Sequence, residues 1–418
     1  MNTVARGLAE MVRALAIAAG VTVRHGLRAR RGGDRDARRG AFVFALVRAL
    51  GPIYIKLAQV LAAQSGFISA GFRTELRGTY DRNEIVPFPA VKRQLESAFG
   101  RPLEQVFDRF EPDPIGSGSV AQVHRARLRG GEAVAVKLVK PGAAASIASA
   151  LTAARMLIWL ADRLVPSLRP LRLRDNFADV RDALIGQTDL AAERRSQAAI
   201  AARFAGHPFL TVPRIHADAC AEGVIVMDYV EGVPLYDDAR LHGDRAALAE
   251  RMQHAFYTMV YLHGHFHVDP HPGNMLLMKD GRLALLDFGM VAELGEEDRF
   301  ALNLFNYYAV TALWTQAVEH FLRLFVDAAP PASEEDALWK EITAVLWSHF
   351  GAPSNRWSTA AFLTDAAEVL RRHGLRLRVG MSLLALSLAT AEGILHDIDG
   401  DIDFWRNARR FVTANAAA

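Results

Sequence analysis

His267-Val268-Asp269-Pro270-His271-Pro272-Gly273-Asn274, followed thirteen residues on by Asp287-Phe288-Gly289, is the stretch whose reading decides the fold. Phosphoryl transfer from ATP needs one carboxylate near the attacking oxygen, and an amide plus a second carboxylate on the metal. Asp269 and Asn274, five apart on a loop, and Asp287 at the end of a following strand supply that set. Between them Met275-Leu276-Leu277-Met278, the turn Lys279-Asp280-Gly281 and Leu283-Ala284-Leu285-Leu286 predict a hairpin. Its two ends would bring Asn274 and Asp287 side by side. His267 and His271 are spaced like two metal ligands on a helix, but Pro270 and Pro272 exclude a helix, so both are read as loop residues.

Upstream, Ile115-Gly116-Ser117-Gly118-Ser119-Val120 precedes a run from Val120 to Leu128, the turn Arg129-Gly130-Gly131, and a second run from Ala133 to Val139. The pattern predicts a two-stranded hairpin with the glycines just before its first strand. Glycine lets backbone N–H groups approach phosphates because no Cβ blocks the way. Alone, such a loop is also an ordinary connection. Val134-Ala135-Val136-Lys137 adds weight, since a lysine at this place on the next strand would hold the α- and β-phosphates and pair with a helical glutamate. A strand lysine is otherwise a solvated edge residue. Glu193, in Asp189-Leu190-Ala191-Ala192-Glu193-Arg194, is the chosen partner; bonding to neighbouring arginines is the alternative. Further on, Met227, Asp228, Tyr229 and Val230 carry an apolar strand into a polar turn, where adenine would meet the backbone.

The whole chain has 418 residues, 51% apolar and 23% charged, which is the composition of a globular protein with room for two or three domains. A net charge of +3 gives no argument for nucleic acid. One cysteine, Cys220, excludes an intramolecular disulfide and a Cys-based zinc site; it fits a reducing, cytoplasmic setting and is expected to be a buried structural thiol. The most apolar run, Val379 to Leu395, carries Glu392 and falls short of the roughly twenty residues of a spanning helix, so a core helix is expected. Near the start, Val4, Leu8, Met11, Val12, Leu15 and Val21 share a helix face, and Arg28, Arg30, Arg31, Arg35, Arg38 and Arg39 follow. Such a segment suits an anionic inner-membrane interface. It equally suits a helix docked on its own protein, and both readings stand.

The resulting layout is α+β. A basic amphipathic arm (1–45) and a helical extension (46–105) lead into a small mixed lobe with a helical insertion (106–232) and a mostly helical lobe (233–418). Helix is predicted over 41–100 and 143–205, and everywhere after Ala246 except the hairpin. Short strands are predicted near Leu210 and Val224. The nucleotide is expected between the lobes.

With these parts in place, the chain resembles the UbiB/AarF family of atypical kinase-like proteins over residues 48–405. The marks are GPIYIKLAQ (51–59), SVAQVHRARL (119–128), VAVK (134–137), HVDPHPGN (267–274), LLDFG (285–289) and the tail from Leu383 to Phe404. The resemblance implies a two-lobed protein-kinase-like fold, with extra N-terminal helices over the active site. It also implies ATP and Mg²⁺ as cofactors and a link to ubiquinone or other isoprenoid-lipid metabolism. Asp287 would bridge metal and phosphates, Asn274 would complete the coordination, and Asp269 would orient or deprotonate the acceptor. The family's Lys-x-Gly-Gln motif maps onto Lys56 and Gln59, which would meet a Glu-x-Asp pair, here Gln187-Thr188-Asp189, as a regulatory latch. Three departures matter: Ala58 for the motif glycine, Gln187 for the first carboxylate, and Gly-Ser-Gly-Ser for an alanine-rich phosphate loop. They make the nucleotide end more like an ordinary kinase. The acceptor stays open among water, a quinone-precursor or other lipid-like molecule, and a soluble small molecule; a non-catalytic nucleotide-binding regulator is the remaining reading.

Overall fold

The computed structural model describes residues 3–28, 45–51, 53–55, 85–164, 173–235, 244–268, 270, 272–352, 357–375, 377–378 and 381–415. Lys56, Ala58, Gln59, Asp269 and His271 lie outside them. The chain divides into two compact units, Met1–Ala199 with Pro213–Val230 and Ile200–Val212 with Glu231–Ala418. In chain order the strands are β1 (Phe107–Ser117), β2 (Ala121–Leu128), β3 (Ala133–Val139), β4 (Leu210–Thr211), β5 (Val224–Asp228), β6 (Val233–Pro234), β7 (His265–His267), β8 (Met275–Leu277), β9 (Leu283–Leu285) and β10 (Val291–Glu293).

The first unit is built on an antiparallel sheet of order β1-β2-β3-β5. Its N-terminal helix is α1 (Thr3–Arg28); α2 (Phe88–Phe99) and a single turn, α3 (Leu103–Val106), lead into β1. Alternation along β3 sorts side chains to two faces. Val134, Val136 and Leu138 join Val224 and Val226 in a core with Val91 and Leu95 of α2 and Leu103 and Val106 of α3. Ala135 joins Ile225 and Met227 on the other face. Prolines open α2 and Gly100, at φ 65°, ends it.

The hairpin β2–β3 forms as the sequence predicts, but the strand ahead of the glycines is an addition: β1 runs through Gly116 to Ser117. Pro112 and Pro114 hide it in the sequence. They are tolerated because β1 is an edge strand with register shifts around Pro114.

After β3 come α4 (Ala143–Leu164), α5 (Leu173–Gly186) and α6 (Leu190–Arg203). Among the residues of α1 whose burial is described, Gly7, Ala14 and Val21 are buried, spaced at sevens along the helix that packs on α4. A Cβ on Gly7 would fall inside the Thr152 side chain, so the close approach requires glycine there. The docking face of α1 is thus a seam of small residues. Leu8, Val12 and Leu15, which the sequence groups with Val21, point outward. Among the described residues, one helix is long and apolar enough to cross a membrane, through the window Ala143–Leu160 of α4 with mean hydropathy 1.5. Its Ile147, Leu151, Ala154 and Ile158 are buried.

In the second unit, β4 pairs in parallel with β9, β8 and β9 form the predicted hairpin, and β6 pairs with β8. A separate antiparallel pair, β7–β10, corrects the expectation that only the hairpin interrupts helix after Ala246. Three-residue strands leave too little alternation to be read from sequence. The helices are α7 (Arg245–Tyr257), α8 (Glu296–Val310), α9 (Trp314–Phe325), α10 (Glu335–Phe350), α11 (Thr359–Arg372), α12 (Ser382–Ile398) and α13 (Phe404–Asn415). A π-helical turn, Thr258–His263, follows α7 and ends at Gly264 with φ 61°. Phe305, Phe321, Phe325, Phe350 and Phe362 stack edge-on and offset in the helical core. As expected, α12 is a core helix, with Leu384, Ile394, Leu395 and Ile398 buried.

Two predictions follow from packing and burial. Leu95→Ala removes a fully buried side chain from the first core and should cost ~2–5 kcal/mol, measured as a fall in the urea midpoint. Burial lowers the His124 imidazole from its ordinary value of 6.5; burial, with His254 and His263 nearby, takes His207 down to about 4. Between those values the unfolded chain binds more protons than the folded one, so stability is full above pH 6.5 and is lost as pH falls toward 4. The urea midpoint should therefore be lower at about pH 5 than at about pH 7.5, and His207→Gln should flatten the difference.

Candidate active site

Lys137 and Glu193 meet because two periodicities coincide. On β3, the two-residue repeat sends Lys137 to the same face as Ala135, opposite the face of Val136 and Leu138. On α6, Leu190 packs into the Ala135–Ile225–Met227 cluster, and Glu193 lies one helical turn further along the same face. The ammonium Nζ of Lys137 donates to Oε1 of Glu193 at 2.5 Å, with the two side chains 10% and 2% exposed. Burying an ion pair costs about as much as the attraction returns, so this pair is weak evidence for stability and better evidence for function. Asp189 caps α6: its Oδ1 accepts from the Ala192 N–H at 2.9 Å and its carbonyl from the Glu193 N–H at 3.0 Å. Gln187, two residues earlier, is buried.

Gly116 and Ser117 end β1, and Gly118 and Ser119 lie between it and β2. The Gly118 N–H donates to the Ala121 carbonyl at 2.9 Å, and Lys140 Nζ donates to the Gly118 carbonyl at 2.7 Å. Neither glycine has a positive φ. A Cβ on Gly116 would meet nothing within 4 Å, and one on Gly118 only the Ala121 carbonyl at 3.6 Å. The chain's own conformation and packing therefore do not demand glycine. What glycine supplies here is bare backbone, open to a ligand.

At the end of β5, Met227 is buried against Ala135 and Leu190. Asp228 Oδ1 accepts from His216 Nε2 at 2.7 Å, and its N–H donates to the Arg214 carbonyl at 2.9 Å. The Tyr229 N–H donates to the Ala133 carbonyl at 3.1 Å, and the Arg125 guanidinium lies 4.3 Å from the centre of its ring. Val230 follows beyond the strand.

In the second unit the β8–β9 hairpin pairs Met275 with Leu285, so the residues just outside it, Asn274 and Leu286, also meet. The Leu286 N–H donates to the Asn274 carbonyl at 2.9 Å. One residue on, Asn274 Nδ2 stands 3.4 Å from Asp287 Oδ2, side by side as the spacing predicts. The other carboxylate oxygen of Asp287 accepts from the Gly289 N–H at 3.0 Å. His267, 1% exposed, donates from Nε2 to the Asp287 carbonyl at 2.7 Å. The β7–β10 pair carries this clamp, with the Val268 N–H donating to the Met290 carbonyl at 2.8 Å. From α12, Ser387 Oγ donates to the His267 carbonyl at 2.6 Å. Phe288 between Asp287 and Gly289 is fully buried, its ring 6.5 Å from that of His267.

Each unit thus brings its own predicted residues together: Lys137 with Glu193, and Asn274 with Asp287. Sequence reasoning assigned His267 only a general loop role and passed over Ser387 and Gln197; only the position of His267, two before Asp269, carried a signal. Among the described residues, no group of three or more His, Cys, Asp or Glu is set to hold a metal. Cys220 is half-buried and accepts a weak hydrogen bond from the Val226 N–H at 3.3 Å.

Residues 79–321 match the family model of the ABC1 atypical kinase-like domain. The probable protein kinase UbiB of Pseudomonas paraeruginosa is 31% identical over 391 residues, covering 90% of this chain and 72% of that protein. Its counterpart in Pseudomonas fluorescens is 30% identical over 390 residues with the same coverage. Among solved structures, the Rv3197–erythromycin complex from Mycobacterium tuberculosis superposes with a TM-score of 0.58 at 20% identity, over 85% of this chain and 90% of that one. That likeness concerns the fold. By its domain match and by relatives aligned along nine-tenths of its length, this chain, with its two-lobed kinase-like fold, belongs to the UbiB/AarF family of atypical kinase-like proteins.

Proposed function

We propose that the protein binds Mg²⁺–ATP and cleaves its γ-phosphate, passing it to water or to a small-molecule or lipid-like hydroxyl. The observation that carries this reading is the buried Lys137–Glu193 ion pair, held on a strand and a helix 56 residues apart in sequence. Such a pair presents an ammonium fixed in place, the group that grips α- and β-phosphate oxygens. Glu193 orients it. The Gly116–Ser119 backbone, open to approach, would receive the phosphates, and the backbone of Met227 to Val230 the base.

A carboxylate beside a carboxamide suits Mg²⁺, which prefers oxygen ligands and few of them from protein. Asp287 and Asn274 would hold the ion, which when bound neutralises charge on the transferring phosphoryl group. Asp287 is prepared for this: His267 fixes its carbonyl and the Gly289 N–H fixes one carboxylate oxygen, so little ordering remains. Asp269 would orient or deprotonate the acceptor. The family resemblance favours a lipid-like or quinone-precursor acceptor, and with it a role in ubiquinone or other isoprenoid-lipid metabolism. Lys56 and Gln59, with Gln187 and Asp189, would form the regulatory latch of that family. On α1, Leu8, Val12 and Leu15 form an outward apolar stripe at helical spacing, which supports peripheral contact with an anionic membrane.

Purified protein should release phosphate from Mg–ATP. Asp287→Asn should lower turnover by ~10²-fold or more and weaken Mg–ATP binding; if both stayed at wild-type values, the reading would be wrong. Gly118→Ala should leave the melting temperature unchanged, since its Cβ meets only ordinary contact, while weakening ATP binding in a fluorescence titration. In co-sedimentation with vesicles containing an anionic phospholipid, Val12→Glu should reduce the bound fraction without lowering the melting temperature.

A further inference from the structure

Gln197 lies on α6, four residues beyond Glu193 and seven beyond Leu190, so all three share one helix face. It is 1% exposed. Its Nε2 donates to the Pro213 carbonyl at 2.8 Å and contacts Met227 Sδ at 3.5 Å. The amide cannot be turned the other way, because its oxygen would then face the carbonyl of Pro213. In this orientation Oε1 is buried and meets no hydrogen-bond donor among the described residues. An unpartnered buried acceptor is costly, and an apolar side chain of the same length would avoid the cost. A glutamine here is explained by what its two N–H groups fasten.

They fasten the helix. Below Glu193, Leu190 is seated among Ala135, Ile225 and Met227. Above it, Gln197 ties the next turn to Pro213 and, through Met227, to β5. Leu190 packing alone leaves α6 able to roll or slide on an apolar surface, because such contacts have no direction. A directed hydrogen bond one turn past Glu193 fixes the rotation. We propose that Gln197 is the positioning residue for the Lys137–Glu193 pair, setting the rotation and register of α6 so that Glu193 meets the Lys137 ammonium. The inference deepens the ATP reading at the same site, but the position of the pair can be tested without ATP.

The test compares full-length wild type, Gln197→Met and, as benchmark, Glu193→Gln. Methionine matches glutamine in length and lacks both donors. Each protein is treated with an acetylating succinimidyl ester, and the acetylation rate of every lysine is read by peptide mass spectrometry. An ammonium held on a carboxylate does not acylate, whereas a released amine does. Exposed Lys279 and Lys340 serve as internal references.

The expected result is a several-fold faster labelling of Lys137 in Gln197→Met, approaching Glu193→Gln, with the reference lysines and the melting temperature unchanged. Turnover of Mg–ATP should show kcat falling by a larger factor than KM rises. Lys137 labelling at the wild-type rate in Gln197→Met, while Glu193→Gln labels faster, would overturn the proposal. So would a lower melting temperature with all lysines labelling faster together, which marks Gln197 as merely structural. Gln197→Leu gives the same readout if the methionine variant does not accumulate. A wild type that neither binds nor turns over Mg–ATP would refute the proposed function, and Lys137 labelling would still decide the role of Gln197.

Discussion

An ammonium and a carboxylate removed from water together must each find the other at hydrogen-bond distance, or the fold bears the cost of an unpaired charge. That constraint on Lys137 and Glu193 orders much of the first unit. β3 has to present the lysine on the face away from the Leu95 core, and α6 has to be seated with Glu193 directly over it. The alternation of β3, the seating of Leu190 and the cap at Asp189 all serve that requirement. Where stability alone was at stake, two apolar side chains would do as well. The pair is intelligible as a means of holding one positive charge at a fixed point.

The second unit solves a complementary problem, holding negative and polar oxygen ligands at a fixed point. Here the backbone does most of the work. The hairpin sets Asn274 beside Asp287, the Gly289 N–H turns the carboxylate, and His267 anchors the Asp287 carbonyl from a buried position. Ser387, 120 residues further along, closes the chain of contacts by holding the His267 carbonyl. The three-residue strand pair β7–β10 sets His267 beside the segment that follows Asp287. Its shortness is offset by the burial of Phe266 and Phe288.

Much of this was legible because the informative elements are local. The β2–β3 and β8–β9 hairpins are written in adjacent residues, with Gly131 and Gly281 at positive φ in their turns. Motif spacing alone paired Asn274 with Asp287. The match of Lys137 with Glu193 needed the further premise of a kinase-like fold. By contrast β1 escaped notice because its prolines are permissible only on an edge, and an edge is a property of the sheet. On α1 the large apolar residues marked a face for membrane or for docking, and the helix docks through Gly7, Ala14 and Val21 while Leu8, Val12 and Leu15 face outward.

What the sequence determined by itself was the kind of fold, the two hairpins and the identity of the chemical groups, since these depend on residue type and short-range spacing. Tertiary structure alone decided which amide steadies α6, which serine reaches the His267 carbonyl and which face of α1 is covered. Those contacts join residues separated by 16 to 145 positions. Nothing in local periodicity specifies such a partner. It is fixed only when packed elements bring one donor, and no competing water, to one acceptor.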